Sequence, residues 1–418
     1  MLTNKELQGP FNKIRAQLEF QFFRQESKGI TMHVKGFLHK LLSSVMHKKR
    51  LNTLSILVTT LITWKKLSVT ELGRGINLPI QERSAIRRAD RFIGNKKLHQ
   101  ELEALYRKNI EALIGSKKRP KIIADWTHIP NTKNHALRAA LASKGRALTL
   151  YEEVYSEKKL GNAKVEKNFL ERLNKFLPEG CKPIIITDAG FRNPWFRRVL
   201  ELGWDYVGRV RGTHQCYNGI LWIKCKILLL TGTQKAKYLG EMILCKDNSI
   251  TSHLFLLKEK RKKRVLKTKY VKKKGGGRDE ADCGRSAKES WLLASSIAGK
   301  NWLAINRVIK TYKMRMQIEE GFRDLKSSQY GFGFEKAHSR NLSRIRILLL
   351  VAMFASFIAW LVGYIAEKQK WHYQFQVNSV KTRRVLSLFF LGCQVIKRNM
   401  KITIDMMEDA IYAPWKQL

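Results

Sequence analysis

Apolar positions recur at helical spacing through the first hundred or so residues, switch to short strand-length runs, and return to helical spacing near residue 301. The pattern predicts helices over residues 1 to about 115. Leu51 to Trp64 is an apolar helical run, followed by a turn at Lys65–Ser68, the segment Val69–Gly73, and a helix over Gln81–Phe92. From 121 to 211, strands are expected at Lys121–Ile129, Leu137–Ser143 and Arg146–Tyr155, the last two flanking a Lys144-Gly145 hairpin signal. A helix over Lys164–Leu177, a buried strand over Pro183–Asp188, a helix over Asn193–Leu202 and a strand over Tyr206–Arg211 follow. Ile220–Leu230, Tyr238–Cys245 and Ser252–Leu257 read as further strands, and residues 301–326 and 340–418 as mainly helical.

Two features modify this picture. Ile347 to Ala366 carries no charge over the length of a membrane span. A helix buried on all sides in a large domain has the same composition. The buried helix is the expectation, because no second such segment exists and the candidate chemistry flanks it on both sides. The second feature is charge. The 418 residues hold 80 Lys and Arg against 34 Asp and Glu, a formal net charge of +46. Small or acidic metabolites do not require so large a field, whereas a polyanion does, and nucleic acid is the commonest. Short helices ending in an arginine-bearing helix then suggest a helix-turn-helix-like DNA binder, with Arg83, Arg87 and Arg91 on one face at four-residue spacing. A basic loop, Lys258 to Arg278, ends in Gly275-Gly276-Gly277 and suits contact with a DNA backbone.

Six cysteines stand at 181, 216, 225, 245, 283 and 393. None forms a CxxC pair and no histidine pair has zinc spacing near them, so neither a disulfide framework nor a zinc motif is expected. Together with an N-terminus lacking a signal-peptide pattern, this points to a reduced, cytoplasmic protein.

Candidate chemistry comes from three acidic residues. Asp125 and Asp188 each end an apolar strand, where catalytic groups of open sheets sit. On a helix at about 100° per residue, Arg315, Glu319 and Lys326 fall within about 60° of Tyr312, on one stripe, with Glu320 turned away. Three converging carboxylates repel at about 4 kcal/mol per pair at ~4 Å and an effective dielectric of 20. They therefore call for cations: two Mg²⁺ ions, with Mn²⁺ able to substitute, in a site for in-line phosphoryl transfer.

The spacing Tyr312-x2-Arg315-x3-Glu319-x6-Lys326 resembles the Y-R-E-K signature of the insertion-sequence-four family of bacterial DDE transposases. The likeness extends to Leu148-Thr149-Leu150-Tyr151-Glu152, Asp188-Ala189-Gly190-Phe191 with Pro194-Trp195, Leu202-Gly203-Trp204 and Arg209-Val210-Arg211-Gly212. It implies Asp125, Asp188 and Glu319 as the metal-binding triad, and Tyr312, Arg315 and Lys326 as contacts to transposon-end phosphates. It places Trp291 as the tryptophan that stacks on a displaced base. It implies double-stranded DNA (terminal inverted repeats and target) as partner, a homodimer on that DNA, and no membrane. Where the family carries a second acidic residue shortly after the first aspartate, this chain has His128.

The expected fold is α/β: a ribonuclease-H-like catalytic domain with a β-rich insertion, an N-terminal helical DNA-binding domain and C-terminal helices. The expected boundaries are 1–115 for the DNA-binding domain, 116–211 and 301–366 for the catalytic domain, 212–300 for the insertion, and 367–418 for a C-terminal helical region suited to dimerisation. Cut-and-paste transposition is the leading reading. A ribonuclease-H-like nuclease without strand transfer and a catalytically silent DNA-binding protein are the alternatives.

Overall fold

The computed structural model describes residues 28–259, 290–377 and 379–412. Most of the basic Lys258–Arg278 segment, Cys283 and the first 27 residues lie outside the described residues.

Five helices open the described chain: α1 (Lys28–Leu42), α2 (Lys48–Trp64), α3 (Val69–Arg74), α4 (Glu82–Ile93) and α5 (Lys96–Ile114). Ser68 caps α3 by accepting from the Glu71 amide, and Asn95 caps α5 through the amides of Lys97 and Leu98. Helices α3 and α4 cross closely at Gly73, where a Cβ would stand 2.4 Å from the Ile86 Cα. Arg83, Arg87 and Arg91 are exposed along α4.

Among the described residues, ten strands form one sheet in the order β3-β2-β1-β4-β5-β10-β9-β8-β6-β7. They are β1 (Lys121–Ile129), β2 (Asn134–Ala142), β3 (Ala147–Ser156), β4 (Ile184–Thr187), β5 (Asp205–Arg209), β6 (Gln215–Tyr217), β7 (Trp222–Lys224), β8 (Lys237–Leu244), β9 (Ile250–Leu257) and β10 (Trp291–Ser295). β1, β4 and β5 are parallel, joined by crossovers that contain α6 (Ala163–Phe176) and α7 (Asn193–Glu201). All other pairings are antiparallel. The β2–β3 turn falls at the expected Lys144-Gly145, with Gly145 at φ 76°. The strands within 212–300 continue the same sheet, because β10 pairs with β5.

Alternation along the strands decides which helices meet which residues. Ile123, Ile184, Ile186 and Val207 pack on one face against Ile309, Tyr312, Ile318 and Phe322 of α9 (Trp302–Lys313) and α10 (Met316–Lys326). Ile122, Ala124 and Ile185 point to the other face and join the main core. That core extends through α11 (Leu342–Lys368), the long apolar helix, whose most apolar 18-residue window is 89% buried. The expectation of a buried core helix at Ile347–Ala366 agrees with this packing. Helix α12 (Leu388–Lys397) crosses α11 backbone to backbone: a Cβ on Gly392 would stand 1.8 Å from the Ala359 carbonyl oxygen. Helix α13 (Ile404–Ile411) packs on α1 and α11, and its Glu408 pairs with Lys40 at 2.6 Å.

Three local expectations are corrected. Ile220–Leu230 is not a strand. Gly219 (φ 95°) and an Asn218 side chain that accepts from the Ile220 and Leu221 amides make a hairpin tip, β7 is three residues long, and Cys225–Leu230 is a short helix, α8. An apolar run as short as Ile227–Leu230 carries no period to separate strand from helix. The 311–326 segment is not one helix. It breaks at Met314–Arg315, where the Met314 and Arg315 amides bond three residues back, to Thr311 and Tyr312. Asp125 does not end its strand; β1 runs on to Ile129 beside β2 alone.

Candidate active site

The parallel β1–β4 pairing ends at Ala124↔Thr187. Asp125 and Asp188 are each the next residue on adjacent strands, about 4.8 Å apart laterally. Both lie on the Ile123–Ile186 face, beneath α9 and α10. The Asp188 carboxylate also accepts from the Gly190 amide at 2.8 Å, which pins the loop that follows β4.

Glu319 arrives on α10 from above. The Arg315 guanidinium donates to Glu319 Oε1 at 2.9 Å and reaches Asp125 Oδ2 at 3.5 Å, so one cation links two carboxylates. Burial, then the nearby Asp188 carboxylate, push Asp125 well above the usual carboxylate range; Arg315 opposes and Glu319 adds to the push. Asp188 and Glu319 therefore both act on Asp125 at short range. They do not yet converge on one point: among the described residues no three His, Cys, Asp or Glu side chains are arranged to hold a metal ion. Hard oxygen donors crowded this way nevertheless suit a divalent ion, whose charge would replace that of Arg315.

Lys326, Tyr312 and Trp291 lie near this centre, whereas Arg83, Arg87 and Arg91 are on α4. Lys326 Nζ donates to Thr127 Oγ1 at 2.6 Å, two residues beyond Asp125, and burial lowers its pKa. Tyr312 is buried at the end of α9, beside Arg315 and Asp188, and burial raises its hydroxyl pKa. Trp291 begins β10, half-buried, with its ring edge-on to Tyr312 at 5.1 Å. His128 is exposed, with Nε2 2.8 Å from the Thr132 carbonyl oxygen.

Two groups not anticipated from sequence support the site. Arg138 is the cross-strand partner of Asp125, and Glu152 that of Arg138. Arg138 donates twice to Glu152 Oε2, at 2.9 and 2.7 Å, and its guanidinium lies 5.0 Å from the Phe322 ring of α10. This row supports α10 beneath Glu319. Its signal was present: an arginine within the apolar run of β2 and a glutamate within that of β3 need each other.

Glu166 of α6 lies on the opposite face, buried, and accepts from Trp126 Nε1 at 3.0 Å. Burial pushes it up to about 7, from an ordinary 4.5; the Trp126 bond and Arg192 oppose the shift, and Asp188 adds to it. A raised carboxyl binds more protons folded than unfolded. Its stabilisation is complete below pH 4.5 and is lost as the pH rises through 7. Glu166→Gln keeps an acceptor for Trp126. It should stabilise the protein by about 2–3 kcal/mol near pH 8 and change little near pH 4. Thermal melts at the two pH values check this, and equal shifts at both would contradict it.

No curated protein matches the chain. A family model described as "Transposase DDE domain" matches residues 116–358, more than half of the sequence and the span that holds both aspartates and Glu319. The chain therefore belongs to the DDE transposase domain family.

Proposed function

We propose that the protein is a cut-and-paste DNA transposase of the insertion-sequence-four kind, close to the transposase of transposon ten. The observation that carries this reading is the placement of Asp125 and Asp188 side by side at the end of the parallel pairing, with Glu319 joined to Asp125 through Arg315. The strand order β3-β2-β1-β4-β5 supports a ribonuclease-H-like catalytic sheet.

Asp125, Asp188 and Glu319 would hold two Mg²⁺ ions, or Mn²⁺ in their place, which when bound supply activation of the attacking oxygen and stabilisation of the leaving one. Arg315, released from its carboxylates, grips a transposon-end phosphate bidentately. Lys326 adds a point charge beside Thr127, and Tyr312 donates a hydrogen bond. Arg83, Arg87 and Arg91 bind the duplex away from the reacting bond, and the protein acts as a homodimer on its DNA inside the cell. Strand nicking, attack of the freed 3′-hydroxyl on the opposite strand to form a hairpin, reopening, and joining to target are all phosphoryl transfers. They need no nucleotide triphosphate.

Trp291 separates transposition from simple hydrolysis. Its indole holds the base displaced as the hairpin forms, worth about 1–3 kcal/mol. On an end-labelled terminal-repeat duplex with Mg²⁺, we expect nicking followed by a hairpin in the wild type. Trp291→Ala should lower hairpin yield by about 5- to 100-fold and spare the first nick. Nicked product with no hairpin in the wild type would favour the plain nuclease instead.

A further inference from the structure

The hairpin that joins β6 to β7 ends in a rigid apolar tip. Tyr217 pairs with Trp222 across the hairpin, leaving Asn218-Gly219-Ile220-Leu221 as the loop. The Asn218 amide donates to the Leu221 carbonyl at 3.3 Å, and the Ile220 and Leu221 amides both donate to Asn218 Oδ1 at 3.0 Å. The Tyr217 hydroxyl donates to the Gly219 carbonyl at 2.8 Å, and Gly219 takes the positive φ that the turn needs. Hydrogen bonds within the turn therefore fix its backbone. Its two aliphatic side chains are left in solvent: Ile220 is 83% and Leu221 53% exposed.

Single exposed leucines and isoleucines are common, but the setting of these two is not. Every charged residue from 215 to 237 is a lysine, at 224, 226, 235 and 237, and all four are exposed. Lys224 pairs with Gln215 at the base of the hairpin, and Lys246 Nζ lies 5.7 Å from the Trp222 ring. Glu241 and Asp247 are the only carboxylates between 215 and 257. A second copy of this face would set lysine against lysine, and the basic Lys258–Arg278 segment carries the same sign. The complement is a polyanion with an apolar interior. Stacked base pairs between two rows of phosphates meet that description.

We propose that Ile220 and Leu221 form a wedge that enters the minor groove of the bound duplex and parts one base step. The inference rests on the DNA transposase reading and adds a contact to it. Gly219, Ile220 and Leu221 carry no polar side chain, so the tip has little with which to read base edges. Aliphatic side chains act instead by unstacking, which kinks the duplex. Lysines on either side of the hairpin hold the flanking phosphates. Because the loop is already ordered, insertion costs little conformational entropy. The tip is also fixed relative to the reacting bond. Arg211 donates to the Ala189 carbonyl, in the loop after Asp188, at 2.6 Å. Ile220 lies nine residues beyond Arg211, so the kink falls within about 32 Å of Arg211, roughly one helical turn of DNA.

The test places 2-aminopurine at successive positions of the terminal-repeat duplex and adds the full chain without Mg²⁺. Fluorescence should rise at one step when the wild type binds. The rise should survive Trp291→Ala, which separates it from the base displaced during hairpin formation. It should vanish in the double variant Ile220→Ala with Leu221→Ala, whose affinity should fall by about 5- to 30-fold. A mismatch built into that step should tighten wild-type binding by about tenfold, because the unstacking is already done, and leave the double variant unchanged. The double variant should keep the wild-type salt dependence, whereas Lys224→Gln and Lys246→Gln should each lower the slope of log K against log salt by about 0.9. Both aliphatic side chains are exposed, so the melting temperature should match the wild type. Flat fluorescence from a wild type that binds the duplex, and cleaves it once Mg²⁺ is added, would overturn this inference alone; absence of binding would overturn the transposase reading with it. The wedge also falls if the double variant binds DNA like the wild type but loses self-association in sedimentation, or adhesion to phosphatidylserine vesicles. The occupant of the tip would then be a second copy or a membrane.

Discussion

Glu319→Gln should abolish strand cleavage by the purified protein while leaving it folded and bound to DNA. In the proposed metal-binding role, losing the Glu319 charge removes about 4 kcal/mol of transition-state stabilisation, a rate loss of about 10³-fold at 1.36 kcal/mol per decade. The Glu319 side chain is 47% exposed and its partner within the chain is Arg315, so stability should change by no more than about 0.5 kcal/mol. DNA affinity should be nearly unchanged, because it derives from counterions displaced by lysine and arginine. Glu320→Gln is the natural control. Glu320 turns to Arg323 and Arg146 on the neighbouring stripe, and its loss should leave cleavage within a few-fold of wild type. Cleavage of an end-labelled duplex, with a melting curve and a salt titration of binding, reads all three quantities. Cleavage by Glu319→Gln within about tenfold of wild type would remove the carboxylate from the reaction.

Glu152→Ala should destabilise the protein by about 3–5 kcal/mol, the usual cost of orphaning a buried charge. Glu152 is 3% and Arg138 6% exposed, and two hydrogen bonds join them. Replacing both, as Arg138→Met with Glu152→Leu, should recover most of that stability, since an apolar pair of similar volume avoids the desolvation of two ions. Urea denaturation of the two single variants and the double separates these cases. A double variant no more stable than Glu152→Ala would mean that packing, rather than the unpaired charge, sets the cost. The double variant, if folded, also isolates the role of the row in supporting α10, through the Mg²⁺ concentration it needs for half-maximal cleavage.

Much of the fold was legible because the alternation was clean. β1 occupies Lys121–Ile129 as expected, and the order of strands and helices from 121 to 209 follows the apolar pattern. The two aspartates and Glu319 were singled out from position and spacing, although Asp125 lies within β1 rather than at its end. What the pattern could not supply was register: nothing local says that Ala124 faces Thr187. The helix break at Met314–Arg315 was also hidden, because a periodic stripe survives a tight turn when a side chain on it is anchored from outside. The helix at Cys225–Leu230 was missed because the four consecutive apolar residues Ile227–Leu230 have no phase.

The alignment of Ala124 with Thr187 makes chain length itself a constraint on this protein. Side chains on a strand change sides with every residue, so a single in-frame codon gained or lost within 121–125 or 184–188 would swing a carboxylate to the Glu166 side of the sheet. Composition and hydropathy would hardly change. Small insertions and deletions there should thus be far less tolerable than substitutions, whereas the exposed turn at Lys144-Gly145 can absorb them.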